Sequence, residues 1–307
     1  MSRIYLGRGC RGSLVGEAQQ NLKQEGYYTG NVDNTYGGVT QTAVTRFQEE
    51  QDLPETGAID GDTWQDLMRR EPPSLFHRCV QVTAAFEGHG FGAVAGAYDD
   101  GWLTWGIIGF TLGSGTLNGV LLEVWENNPE IIRSSFGSKT DELIEILTAP
   151  RRRQKAWAES ISEPPKNYRV IEPWRSSFMA LGQSPAVQAV QLRHAETRYF
   201  VPAMRLRADL ALEEELGAAL CFDIQVQNGG LRSQAKRRIE TFREEHSEAD
   251  EQTFRTVIAD AVADAALPRF REDVRARKRT MAAGEGTVHQ AAYTLANWGL
   301  GAFPWDE

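Results

Sequence analysis

Residues 83–115, TAAFEGHGFGAVAGAYDDGWLTWGIIGFTLGSG, interrupt a stretch, 75–307, that otherwise reads mostly as helix. An apolar helical face of Leu75, Phe76, Cys79, Val80, Val82, Thr83 and Phe86 ends at Glu87, where Gly88 and Gly90 stop the helix. Asp99 and Asp100 follow in a polar, glycine-rich turn. Residues 102–110, rich in aromatic and β-branched types, read as a strand. Gly113-Ser114-Gly115 then turns the chain into a buried helix, TLNGVLLEVWENN. One carboxylate ending a helix and another preceding a strand are the groups that acid/base cleavage of a sugar linkage needs. Each also has a plainer role. A Glu before Gly is commonly a solvated helix end, and Asp-Asp-Gly is commonly only a turn.

The 307 residues suffice for two domains and a sizeable core. A net charge of −9 argues against a general nucleic-acid binder and against adsorption to anionic membranes. No stretch approaches the roughly 20 apolar residues of a membrane span. No nucleic-acid partner and no membrane insertion are therefore expected. Cys10, Cys79 and Cys221 are odd in number, widely spaced and free of any CxxC pattern, so reduced thiols and no metal are expected. Nothing calls for a cofactor. The opening residues hold no apolar leader, so synthesis in the cytoplasm without a standard secretory signal is expected.

Residues 12–70 read as a compact three-helix unit. Val15, Ala18 and Leu22 share one helical face, and Gly26 ends that helix. Val39, Ala43 and Phe47 form a second stripe, which is broken at Pro54 and Gly57. Asp60 is placed to cap a third helix that turns Trp64, Leu67 and Met68 inward. Glu71-Pro72-Pro73-Ser74 is a short stiff linker, with Ser74 ready to cap the next helix. Domain limits of 1–71 and 72–307 follow. Later helical patterns fall at 140–148, 151–160, 185–215, 216–227, 231–246, 250–265 and 268–282.

QQNLKQEGYYTGNVDNTYGGVTQTAVTRFQEEQDLPETGAIDGDTWQDL resembles the peptidoglycan-binding type 1 domain of cell-wall hydrolases. Asn34 stands where that family has Gly after Asp33. Asn tolerates positive φ well enough for the turn to survive. The resemblance implies a wall anchor, with Tyr27, Tyr28 and Tyr36 as candidate wall-contacting residues. Plain core packing is the alternative for each.

LTWGIIGFTLGSG resembles the strand string of glycoside hydrolase family 46 chitosanases and related lysozyme-like wall hydrolases. The resemblance implies Glu87 as the catalytic acid, Asp99 as the second carboxylate and Thr104 as the water-positioning residue. A one-residue gap would select Asp100 as the base instead. The ungapped match also keeps GAYD over the relatives' G-N-[FY]-D. The span from Glu87 to Asp99 is shorter than in typical chitosanases, which leaves the polymer open.

CFDIQVQNGGL and ARKRTMAAGEGTVHQAAYTLANWGL resemble later parts of the same family. They imply Asp223, Gln227 and Asn228 lining the cleft, and Arg277 and Arg279 orienting the acidic pair. They also imply Glu285 and His289 contacting sugar. Salt bridge, cap or surface is the alternative for each. Trp102, directly after the carboxylate turn, is the best candidate for stacking on a sugar face. Trp105, Trp125, Trp174 and Trp298 fit sugar stacking or core. His89 is near enough in sequence to tune Glu87.

The expected fold is mainly α. A small three-helix wall-binding domain precedes a larger lysozyme-like α+β domain with a short β-sheet beside the cleft. The expected activity is a muramidase-like glycoside hydrolase acting on peptidoglycan, as in modular phage endolysins or antibacterial effectors. A chitosanase, a lytic transglycosylase and a non-catalytic wall-binding module are the rivals. The chain is expected to act as a monomer in the periplasm after release, with a holin or an immunity protein as the partner.

Overall fold

A computed structural model describes residues 2–88, 90–97, 99–164 and 168–305. The fold is mainly α, with three small antiparallel sheets among the described residues. The chain forms two compact units, one of residues 1–86 with 199–307 and the other of residues 87–198.

The first unit opens with helices Ser13–Gln24, Gly38–Glu50 and Gly61–Met68. They bury Val15, Ala18, Leu22, Ala43, Phe47, Trp64 and Leu67, the residues whose spacing marks the inner faces. The Asp60 carboxylate accepts from the Thr63 N–H at 3.0 Å, capping the third helix as expected. Asn34 takes φ 60°, so the left-handed turn expected after Asp33 forms with Asn in place of Gly.

Two buried glutamines satisfy the backbone of the connecting loops. Gln19 Oε1 accepts from Asp33 N and Asn34 N at 3.1 and 3.0 Å, while its Nε2 donates to Asp33 Oδ1 at 2.8 Å. Gln48 Oε1 accepts from Gly57 N at 2.9 Å and its Nε2 donates to the Ala58 carbonyl at 2.8 Å. A buried loop carries backbone groups that water cannot reach, and these amides supply the missing partners.

The same unit contains helix Leu75–Glu87, whose first turn is met by the Ser74 hydroxyl, 3.4 Å from His77 N. It also holds helices Val201–Asp209, Glu215–Asn228, Ser233–Glu245, Glu251–Asp264 and Arg271–Ala283. Arg3 and Arg78 both pair with the buried Glu215, at 2.8 and 2.9 Å. Cys10 Sγ donates to the Asn297 carbonyl at 2.8 Å, and Asn297 Nδ2 donates to the Arg8 carbonyl at 2.9 Å. The three cysteines are all buried, and burial pushes each thiol up to the protonated form.

After helix Arg271–Ala283, strands Glu285–Val288 and Ala291–Thr294 form a hairpin. Its turn residues His289 and Gln290 both take positive φ, 49° and 67°. That is the backbone hand a two-residue hairpin turn requires.

The second unit packs helices Thr116–Asn127, Pro129–Phe136, Thr140–Thr148, Arg151–Ser160, Trp174–Leu181 and Pro185–Ala195. Its core is aromatic. Phe178 meets Trp105 at 5.9 Å and Phe136 at 5.0 Å, and Trp174 meets Trp157 at 5.0 Å. Trp105 and Trp174 are therefore core residues. Strands Val94–Ala95, Thr104–Trp105 and Phe110–Thr111 form a meander with Thr104 opposite Ala95 on one side and Thr111 on the other. The single strand expected over 102–110 is in fact two, because Gly106 and Gly109 take φ 92° and 72° and reverse the chain between them.

Candidate active site

Glu87 is the last residue of helix Leu75–Glu87 and is partly exposed, with Gly88 at φ 65° ending the helix. Asp99 is exposed at the head of the turn before the central strand. Its Oδ1 accepts from the Gly101 N–H at 2.8 Å. The turn is held by Trp102 N to Asp99 O at 3.2 Å, Leu103 N to Gly101 O at 2.8 Å and Gly113 N to Gly101 O at 2.9 Å. Asp100, the alternative base, is exposed one residue further on.

Thr104 sits on the middle strand and is buried. A side-chain carbon at Gly101 would lie 2.9 Å from Asp99 Oδ1, 3.4 Å from Thr104 Oγ1 and 3.2 Å from Thr111 Cγ2. The carboxylate and the hydroxyl thus both pack against the same face of Gly101, at a distance that only a residue without a side chain allows.

Trp102 is half-buried and takes φ 62°. A bulky residue in the left-handed region is uncommon and marks stored strain, often beside functional groups. The Arg151 guanidinium lies 4.8 Å over its ring and also donates to the Gly113 carbonyl, so one cation braces both ends of the turn.

Gln191, on helix Pro185–Ala195, completes this arrangement. It is fully buried, donates from Nε2 to the Phe91 carbonyl at 2.9 Å, and accepts at Oε1 from Ile107 N at 2.9 Å. It ties the chain after Glu87 to the hairpin that carries Thr104. A single Gln within a helical pattern gives no sequence signal for such a role.

The residues expected from the two later motifs lie in the other unit. Asp223 is 0% exposed. Arg277 Nε and Nη2 reach it at 2.9 and 2.7 Å, Lys278 Nζ at 2.5 Å and the Thr83 hydroxyl at 3.2 Å. Burial raises its pKa, but the charges of Arg277 and then Lys278, with their hydrogen bonds, outweigh burial and hold it at about 2. A carboxylate so enclosed does not meet sugar, which corrects its expected place in the cleft lining. Gln227 bridges Lys278 Nζ at 2.6 Å and Asp273 Oδ2 at 3.1 Å. Asn228 is partly exposed with a buried Oδ1, and Glu285 is exposed. Arg279 holds Asp260 at 2.8 Å, which departs from its expected orienting role. Both His289 ring nitrogens are engaged, Nδ1 with the Phe86 carbonyl at 3.0 Å and Nε2 with Asp273 Oδ1 at 2.6 Å, while the residue stays exposed.

Among the candidate wall-contacting residues, Tyr36 is 1% exposed and donates to the Gly57 carbonyl at 3.0 Å, so it is core. Tyr28 is 5% exposed and donates to the Asn31 carbonyl at 2.8 Å. Its edge lines a cavity of about 250 Å³ with Asn31, Asp33, Thr35 and Val39. Tyr27 is half-buried, edge-on to Phe47 at 5.4 Å, with its hydroxyl on Glu50 at 3.0 Å. Trp298 is core, and Trp125 carries Arg133 over its ring at 4.8 Å. His89 lies outside the described residues.

Residues 11–67 match the family model of a peptidoglycan binding domain, so the chain carries such a domain near its N-terminus. The spore cortex-lytic enzyme of Bacillus cereus is 42% identical over 68 residues, which are 22% of this chain and 26% of that protein. The spore cortex-lytic enzyme of Bacillus subtilis is 38% identical over 68 residues, 22% of each chain. The chain thus spans about a quarter of the length of these relatives.

Two solved structures have a similar chain trace. One is a glycoside hydrolase family 46 chitosanase of Gynuella sunshinyii in complex with chitotetraose, with TM-score 0.47 and 18% identity over 69% of this chain and 87% of that one. The other is a mutant chitosanase of Bacillus subtilis MY002 complexed with 6 GlcN, with TM-score 0.46 and 21% identity over 67% and 83% of the two chains. Among the described residues, no helix is long and apolar enough to cross a membrane.

Proposed function

We propose that the chain is a peptidoglycan hydrolase of the muramidase type, with residues 1–71 as its wall anchor and residues 72–307 as its hydrolase. One observation carries the reading. A peptidoglycan binding domain stands before a segment in which an exposed carboxylate, Asp99, and a buried hydroxyl, Thr104, come together against Gly101.

Glu87 gives its proton to the glycosidic oxygen as the bond to the anomeric carbon breaks. Asp99 takes a proton from a water that Thr104 orients, and the resulting hydroxide oxygen bonds the anomeric carbon from the opposite face. The product is inverted at that carbon, and Glu87 and Asp99 exchange protons with solvent to reset. Trp102 offers a ring face to the sugar beside the turn. The protein acts as a monomer at the cell wall.

A chitosanase is the second reading, favoured by the net charge of −9, since a cationic glucosamine polymer is drawn to acidic subsites. Purified protein incubated with sacculi and, separately, with chitosan decides between them by the release of reducing ends. Release from sacculi is expected. Release from chitosan with none from sacculi would overturn the first reading.

A further inference from the structure

The last carbonyls of a helix find no partner inside it. In helix Leu75–Glu87 two of them are capped from far along the chain. The Ala85 carbonyl accepts from the Tyr293 hydroxyl at 3.0 Å, and the Phe86 carbonyl accepts from His289 Nδ1 at 3.0 Å, 208 and 203 residues away. Both donors belong to the hairpin Glu285–Thr294, Tyr293 on its second strand and His289 in its turn. The Tyr293 ring is buried, edge-on to Phe86 at 4.7 Å and stacked on Trp298 at 5.6 Å.

The turn is braced from behind. His289 Nε2 meets Asp273 Oδ1 at 2.6 Å, and Asp273 Oδ2 accepts from Gln227, which holds Lys278 of the buried cluster around Asp223. The ring is thus held from both sides, between the Phe86 carbonyl and the Asp273 carboxylate. The φ of 49° at His289, which the two-residue turn requires, sets the ring between these two partners.

We infer that the hairpin Glu285–Thr294 is a splint for the end of the catalytic helix, with His289 and Tyr293 as positioning residues that fix the direction in which Glu87 leaves the backbone. The inference rests on Glu87 being the acid proposed above. Neither residue touches the reacting atoms. They act through the carbonyls of Ala85 and Phe86, the two residues before Glu87. A displacement of about 1 Å in a catalytic group can cost on the order of a hundredfold in rate.

Three full-length variants test it. His289→Gly removes the ring and suits the positive φ. Tyr293→Phe removes one hydroxyl and keeps the ring packing. His289→Asn places a donor nitrogen where Nδ1 stands and tolerates left-handed backbone. By hydrogen–deuterium exchange, residues 83–88 are expected to exchange about fivefold faster in the first two variants, with residues 75–80 unchanged. His289→Asn should return to within about twofold of the parent. On sacculi, kcat is expected to fall about tenfold in the first two variants with KM within about twofold, and to recover in His289→Asn.

Unchanged exchange over 83–88 in both variants would overturn the splint, whichever polymer the protein cleaves. Faster exchange with full kcat, in a parent that cleaves sacculi, would overturn the positioning role. A parent that leaves sacculi intact would count against the proposed function instead, and the exchange rates would still decide whether the hairpin holds the helix end.

Discussion

The Asp99 carboxylate and the Thr104 hydroxyl approach the same face of Gly101, 2.9 and 3.4 Å from the point where a side-chain carbon would stand. One sits on an exposed turn and the other on a buried strand, so the tight turn at 99–103 brings together groups of opposite solvation. A base that draws a proton from water needs this pairing, because the carboxylate must reach solvent while the hydroxyl stays fixed.

Gly101→Ala tests whether that spot is used. The added methyl would crowd Asp99 Oδ1 and Thr104 Oγ1 and push the two groups apart. Activity on the polymer is expected to fall about tenfold or more. The melting temperature should stay within about 2 °C, because the turn's backbone bonds remain. An alanine variant with full activity would show that the space above residue 101 plays no part.

The choice between the two adjacent aspartates is open to direct measurement. Asp99→Asn is expected to lower kcat by about a hundredfold or more, and Thr104→Val by about tenfold. Asp100→Asn should stay within about threefold of the parent, as expected for a carboxylate outside the proton transfer. The reverse order for the two aspartates would move the base to Asp100.

The helical parts of this fold are legible because an apolar face repeats every three to four residues, as at Val15, Ala18 and Leu22. Local chemistry reads equally well. Asp60 caps where its spacing predicts, and Asn34 holds the left-handed turn. The sheets are not legible, since strands of two residues have no period to detect. The burial of Asp223 is hidden for another reason. Its cationic partners stand 54 and 55 positions later, and nothing local distinguishes an Asp that meets Arg277 and Lys278 from one that meets solvent. The caps on Ala85 and Phe86 are concealed in the same way.

Asp223 makes a stability prediction with a defined sign. Its folded pKa, about 2, is below the value of about 3.9 for an unfolded Asp. The stabilisation is therefore fully present above about pH 4 and is lost as the pH falls through the folded value. Thermal unfolding followed across that acid range should show the loss in the parent. Asp223→Asn should flatten the acid dependence and cost about 3–5 kcal/mol at neutral pH, since Arg277 and Lys278 stay buried without their carboxylate. An Asn variant as stable as the parent at neutral pH would contradict this account of the cluster.

Gln191 makes a separate one. Gln191→Ala strips the Phe91 carbonyl and the Ile107 N–H of their partner. Chemical denaturation is expected to report a loss of about 2–4 kcal/mol. Gln191→Glu, which buries a carboxylate against the Phe91 carbonyl, should be at least as destabilising as alanine. Equal stability of all three would remove Gln191 from its proposed role in bracing the site.

The central claim is that Glu87 is the acid of a glycan-strand hydrolase. Its most direct test is mass spectrometry of the soluble products from purified sacculi, digested side by side with the parent and with Glu87→Gln. The parent is expected to release fragments that end in free reducing sugars, and Glu87→Gln should release at most a trace. Anhydro ends from the parent, intact sacculi, or equal release by the two proteins would contradict it.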